Sequence, residues 1–410
     1  MKKIIFLLCC VTLLAACSDN KRYAPKEGRI AVFDTTPTQQ ATGQVILTKA
    51  ESFTSWPQPL QNTQNKLPNM AMTDSQTALW SGYVSKNQKL PNRNLPTPIV
   101  LTDVLYVLDS AYTLTKIDLT NGQHLWQLDL ESDRQGLSLT YSNKTLFALS
   151  TDGLLTAVDE EGNQLWQKDF ETATRAPLLS DKGTVYLTTA QNQFMALNAK
   201  TGKEIWGYQT VRPQTWLTNM ASPAKSGNVI VVPFSTGEVM AFEADSGLLL
   251  WIQMMVGERP KDLIAVPQIV AAPVIDEGIV YLSGNANLTG AYNLQTGNPL
   301  WTSPFGSTLT PVISGNSLFI LSNDNQLMAI EKKTGKIFWQ RSMSPKKDAL
   351  WQHLLLINNE LVLATEEQWV IIDTLTGETK QTQNKVSATL PVLINQHLLL
   401  INNKARATYY

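Results

Sequence analysis

One phrase recurs along most of this chain, and it constrains the fold more than any other feature. Ile117-Asp118-Leu119-Thr120-Asn121-Gly122 leads to Trp126, Val158-Asp159 with Gly162 leads to Trp166, and Leu197-Asn198-Ala199-Lys200-Thr201-Gly202 leads to Trp206. Phe242-Glu243 with Ser246-Gly247 leads to Trp251, Asn293 with Gly297 to Trp301, and Glu331 with Gly335 to Trp339. A seventh copy, Asp373 with Thr376-Gly377, ends in Gln381 instead of Trp. Each copy reads as strand, tight turn, strand: alternating apolar residues enter, an acidic or amide side chain bonds its own backbone, and Gly supplies the positive φ of the turn.

A second marker fixes the register. Pro98, Pro223, Pro273 and Pro311 each stand 28 residues before their Trp, and Pro177 stands 29 before Trp206. That interval holds four strands of about five residues with short turns. Four antiparallel strands every 38 to 50 residues describe a β-propeller blade. The C-terminal stretch from Pro391 has three strands and no Trp, whereas Ala78-Leu79-Trp80 has the Trp and no three strands before it. Trp80 is therefore expected to complete the last blade, giving eight blades closed by pairing the two ends of the chain, with no exposed sheet edge at the closure.

The N-terminus reads as an address. Lys2 and Lys3 precede an apolar run from Ile4 to Ala16, shorter than the roughly 20 residues a membrane-spanning helix needs. The run ends in Leu14-Ala15-Ala16-Cys17, which resembles the lipobox of bacterial lipoproteins, in which the Cys sulfur is acylated. This divides the chain into a signal peptide (1–16), a lipid-anchored tether and pre-propeller segment (17–75) and the propeller (76–410). Within the tether, Gly43 to Thr48 is a candidate for a further strand. Cys9, Cys10 and Cys17 are the only thiols; the first two leave with the signal and the third is acylated, so no disulfide remains. With 33 basic against 34 acidic residues, charge gives no reason to expect nucleic acid. Ser18 after the Cys resembles an enteric outer-membrane sorting signal, so the expected location is the periplasmic face of the outer membrane.

The phrase at Ala196 to Trp206 resembles the pyrroloquinoline quinone (PQQ)-type propeller repeat. Lipobox, tether and eight such blades together resemble the BamB family, lipoprotein subunits of the machinery that folds β-barrels into the outer membrane. Ser55-Trp56-Pro57-Gln58, after Gly28 to Phe33, looks most like its alphaproteobacterial branch. The resemblance implies a non-enzymatic scaffold that binds the periplasmic domain of the central barrel subunit, BamA, and assists outer-membrane proteins, with unfolded substrates as further partners. Two alternatives stay open: a PQQ-dependent periplasmic dehydrogenase and a propeller that binds cell-envelope polysaccharide.

Quinoprotein dehydrogenases are similar in repeat but carry calcium ligands, a catalytic Asp and usually a vicinal disulfide, none of which is recognisable here. His124, His353 and His397 fall in three different blades, so no pair has metal-ligand spacing. Ser222-Pro223-Ala224-Lys225 and Ser344-Pro345-Lys346-Lys347 match Ser-x-x-Lys, but the Pro in each opposes the helix that would align the pair. Asp159-Glu160-Glu161 is expected to be solvated on a turn and to titrate normally. No catalytic, metal or cofactor residue is assigned.

What remains is surface. The Trp-to-Pro connector is 10 residues between Trp301 and Pro311, but 17 between Trp206 and Pro223 and 22 between Trp251 and Pro273. These long connectors flank one blade, share a face and carry apolar residues, so Trp216, Leu217, Ile264 and Ile269 are expected partner contacts, and the resemblance to the family's contact adds Thr218, Gln268 and Val270. By resemblance, Leu217 matches a Leu of the BamA contact, whereas Thr218 replaces an Arg, and Gln268 and Val270 replace Asp.

Overall fold

The computed structural model describes residues 40–410 except 74, 76, 86–94, 132, 214–219, 256–268, 346–348 and 388. Cys17 and the signal segment lie outside the described residues. The described residues form eight antiparallel sheets and no helix. Blades 1 to 7 span residues 99–129, 136–169, 179–209, 224–254, 274–303, 312–342 and 353–383, each with four strands in simple meander order. Blade 8 takes three strands from residues 392–409 and its outer strand from Trp80–Tyr83, with Trp80 opposite Tyr409 and Tyr83 opposite Arg406. The expected eight-bladed propeller, closed by an N-terminal strand, is borne out.

The sheets hold one another through a repeated contact between the fourth strand of one blade and the last turn of the next. Indole Nε1 of Trp80, Trp126, Trp166, Trp206, Trp251, Trp301 and Trp339 donates to a carbonyl of the following blade at 2.6 to 3.1 Å. Beside each accepting carbonyl, the ring covers the turn glycine: Trp206 lies over Gly247 and Trp251 over Gly297. These glycines have φ near +70°, and a Cβ on Gly247 would lie 2.6 Å from the Trp206 ring. Gly therefore meets two demands at once, a left-handed turn and room for an indole. Facing second and third strands bury Val, Leu, Ile and aromatic side chains in clusters between neighbouring blades.

The seam between blades 7 and 8 lacks this contact. Gln381 occupies the Trp position, and blade 8 has no turn between its third and fourth strands, because the two come from opposite ends of the fold. The missing Trp and the missing turn go together.

From Gln40 onward the segment expected to act as a tether does something different. Residues 40–73 form a strap that runs around the axis and hydrogen-bonds the innermost part of every blade. Ile46 O accepts from Asn316 N of blade 6, Phe53 O from Asn395 N of blade 8, and Thr54 O from Thr102 N of blade 1. Pro57 O then accepts from Tyr141 N of blade 2, Gln58 Nε2 donates to Ser180 O of blade 3, and Thr63 O accepts from Lys225 N of blade 4. Gln64 O accepts from Ile275 N of blade 5, and Met70 N donates to Leu356 O of blade 7. Ser55–Trp56 pairs with Ile99–Leu101 as a fifth strand of blade 1, whereas Gly43 to Thr48 forms no strand. Otherwise open inner edges are thus satisfied by the chain itself.

Replacing Gly247 with Ala should lower stability by about 2–3 kcal/mol, from the left-handed φ and the encroachment on Trp206 together. Gly227→Ala has the same φ problem but nothing within 4 Å of its Cβ, so it should cost about 1 kcal/mol. Urea denaturation of the pair measures the difference; equal losses would mean that the indole contact contributes nothing.

Candidate interaction surface

The axial channel of a propeller is the first place to look for a ligand. Here the strap lies along its inner edges. Trp56, Leu67 and Met70 are buried against Val100, Leu355, Ile357 and Val392. Asn65, buried and at φ +55°, donates through Nδ2 to Pro223 O at 3.0 Å and Pro273 O at 3.2 Å. Gln58 bonds Ser180 O and accepts from Thr140 Oγ1 at 2.7 Å. Lys66 and Lys332 both reach Asp276 at 2.6 Å, tying the strap to blades 5 and 6. Burial acts to raise the Asp276 carboxyl, but bonds from Lys332 and Lys66 outweigh it and hold it below the usual carboxylate range. Among the described residues no cluster of His, Cys, Asp or Glu could hold a metal.

Sequence reasoning missed these strap residues because their signal is weak: scattered Trp, Met and Asn in a stretch without period. Asp159-Glu160-Glu161 also departs from expectation. Asp159 is held below its usual value, chiefly by the Asn163 side chain and also by turn N–H groups, while Glu160 accepts the Tyr141 hydroxyl.

Meander topology puts the first-to-second and third-to-fourth turns on the strap face, and the interblade connectors on the other. Of the expected contact residues, Trp216, Leu217, Thr218, Ile264 and Gln268 lie outside the described residues. Ile269 is 2% exposed and packs with Met255, Trp251 and Tyr292 between blades 4 and 5, so it belongs to the core and is no exposed anchor. Val270 is half-buried.

The described surface has another distinctive feature, on the blade between the two long connectors. Its outer strand, Leu249–Met254, presents Leu250, Ile252 and Met254 away from the Trp251 side, and Leu248 precedes them in the same period. All four are exposed, from 38% to 62%. Equivalent positions read Gln123, Leu125, Gln127, Asp129 in blade 1, Asn163, Leu165, Gln167, Asp169 in blade 2 and Lys336, Phe338, Gln340, Ser342 in blade 6. Other outer strands carry Asp129, Lys168, Glu204, Pro299, Arg341 or Lys380, the usual means of discouraging strand addition. Blade 4 has neither charge nor Pro there; the outer strand of blade 5 is also uncharged but opens on Pro299, and the short outer strand of blade 8 shares the lack of charge without the apolar run.

The model of the family described as outer membrane protein assembly factor BamB matches residues 41–140 and 134–341. The chain belongs to the BamB family. It is 26% identical over 333 residues to BamB of Yersinia pestis, covering 76% of this chain and 82% of that one. With BamB of Nitrosomonas eutropha identity is 25% over 226 residues, spanning 54% of each chain, so only about half of that relative's length is matched. Among solved structures, BamB from Moraxella catarrhalis superposes with TM-score 0.66 at 18% identity, covering 81% of this chain and 96% of that one. Quinohemoprotein alcohol dehydrogenase from Comamonas testosteroni superposes with TM-score 0.64 at 12% identity, covering 86% and 77%, a likeness of fold. A repeat architecture common to both leaves their difference to the axis and the surface.

His353 opens the inner strand of blade 7 where other blades have Pro, and its Nε2 has no partner among the described residues. Burial pushes its pKa down to about 4, partly offset by a backbone bond with Thr389. The imidazole is thus neutral when folded and titrates near 6.5 when unfolded. Its contribution to stability is complete above pH 6.5 and is lost as pH falls toward 4, by an amount on the order of 3 kcal/mol. His353→Gln should flatten the stability profile between pH 6.5 and 4.5 in urea titrations; an unchanged slope would assign the acid sensitivity elsewhere.

Proposed function

We propose that this chain is a non-enzymatic scaffold of the outer-membrane β-barrel assembly machinery. In this reading Cys17 carries the lipid, the chain sits on the periplasmic side of the outer membrane, and it grips a periplasmic domain of a BamA-like subunit while outer-membrane proteins fold and insert. Residues 1–16 would be removed as the signal, and the segment between Cys17 and the strap would span from membrane to propeller. The observation that carries the reading is the uncharged, four-residue apolar edge of blade 4 between the two long connectors. Such an edge suits an extended partner strand, with backbone bonds giving affinity and alternate side chains giving specificity.

A dehydrogenase has less support, since the strap, with Trp56, Asn65 and Met70 buried, lies along the inner edges of the blades.

The test is affinity capture from detergent-solubilised membranes. The unaltered protein should recover an outer-membrane barrel with periplasmic repeats. Leu250→Asp combined with Ile252→Asp should reduce that recovery at least tenfold, as loss of a hot spot does, with the thermal midpoint kept because both positions are exposed. Ile269→Asp, by contrast, buries a carboxylate and should lower the midpoint itself. Undiminished capture by a folded Leu250/Ile252 double variant would remove blade 4 from the interface. Recovery of no barrel by the unaltered protein would remove the scaffold reading.

A further inference from the structure

A cleft of about 400 Å³ opens between blades 1 and 2 on the strap face. Leu101, Val104, Tyr106 and Lys116 line it from blade 1, and Tyr141 and Glu160 from blade 2. Its chemistry comes from a break in the repeat. Where the third strand pairs with the seam Trp, five blades have a fully buried Ala: Ala157, Ala196, Ala241, Ala291 and Ala329. Blade 1 has Lys116 opposite Trp126.

Lys116 is held in place. Its Nζ donates to Glu160 O at 2.8 Å, a carbonyl that also accepts from Trp126 Nε1, and it lies 5.6 Å from the Tyr106 ring centroid. Among the described residues it has no carboxylate partner, which leaves donor capacity for a ligand. Across the cleft, Tyr141 donates to one Glu160 oxygen, leaving the other able to accept. Tyr106 is 2% exposed and lines the cleft. One ammonium, one carboxylate and the edge of a tyrosine therefore line one cleft beside Leu101 and Val104.

The geometry points to a binding site for a neutral, hydroxyl-rich sugar unit of a glycan. Sugar hydroxyls each donate and accept, so one ring can serve Lys116 and Glu160 together while its C–H face lies on Leu101 and Val104. A simple anion would satisfy Lys116 and be repelled by Glu160, and a simple cation the reverse. Burial and Glu160 push the Tyr141 hydroxyl up to about 12, so it remains protonated at neutral pH. This site lies on the face opposite the long connectors and is independent of the scaffold reading.

Saturation-transfer NMR on the whole folded chain, with N-acetylglucosamine tetramer and maltotetraose as separate probes, tests it. At least one should receive saturation, and Lys116→Ala should weaken its binding roughly tenfold, as expected for a lost charge-assisted bond. That variant restores the residue used by five other blades, so its thermal midpoint should hold. Glu160→Gln keeps the carbonyl that Lys116 and Trp126 use and provides a second reading, with similar weakening expected. The proposal is overturned if neither oligosaccharide binds, if both variants bind as the unaltered chain does, or if glycylglycine displaces the sugar, which would make the site one for zwitterions.

Discussion

The indole laid over a left-handed glycine of the next blade is the contact on which this ring depends. It combines a buried aromatic surface, a hydrogen bond from Nε1 and a turn that no side chain could occupy, and it repeats at seven seams. Each blade alone would leave two apolar faces in water. Stacked around an axis with these contacts in register, the blades bury both faces, and the closing seam, Trp80 against Gly122, uses the same chemistry as the six within the continuous chain. Closure is therefore one more copy of an existing interaction.

The eighth seam is where that logic stops. With no turn on blade 8 to receive it, a Trp at 381 would have neither carbonyl nor glycine, and the position carries Gln. The strap compensates across the whole ring, since its backbone and amide side chains engage all eight innermost strands. The Asp276–Lys332 ion pair and the Asn65 bonds to two blades are buried, with Lys66 reaching Asp276 from a partly exposed position, and such satisfied polar groups fix a unique arrangement.

The strap lines the inner edges of the blades, and the departures from the repeat lie elsewhere. The same fold is found in a BamB and in a quinohemoprotein alcohol dehydrogenase, so the architecture alone does not select a function. Here the chemistry-bearing departures from the repeat lie outside the axis: an uncharged apolar edge on blade 4, and a lysine in place of alanine on blade 1. Both are exceptions to a pattern repeated elsewhere, which is why a repeat protein makes its special residues easy to find.

Much of this architecture was legible in the sequence because its determinants are local and periodic. The Asp or Asn of each turn bonds the backbone two residues on, as Asp118 does with Thr120 N and Asn198 with Lys200 N, and the glycine follows within a few positions. Strand period, turn chemistry and the Trp interval fix the blade, and the unmatched ends at Trp80 and Tyr409 fix the count and the closure. The strap was not legible, because its residues 40–73 have no period and their partners lie hundreds of positions away, as Phe53 and Asn395 do. Ile269 read as an exposed loop anchor and is core, since burial depends on which blades meet and not on the residue's place in a connector. Sequence alone determined the repeating unit, through contacts between near neighbours in the chain; only the tertiary structure decided what lines the axis and which edges stay open, because those depend on groups brought together by closure of the ring.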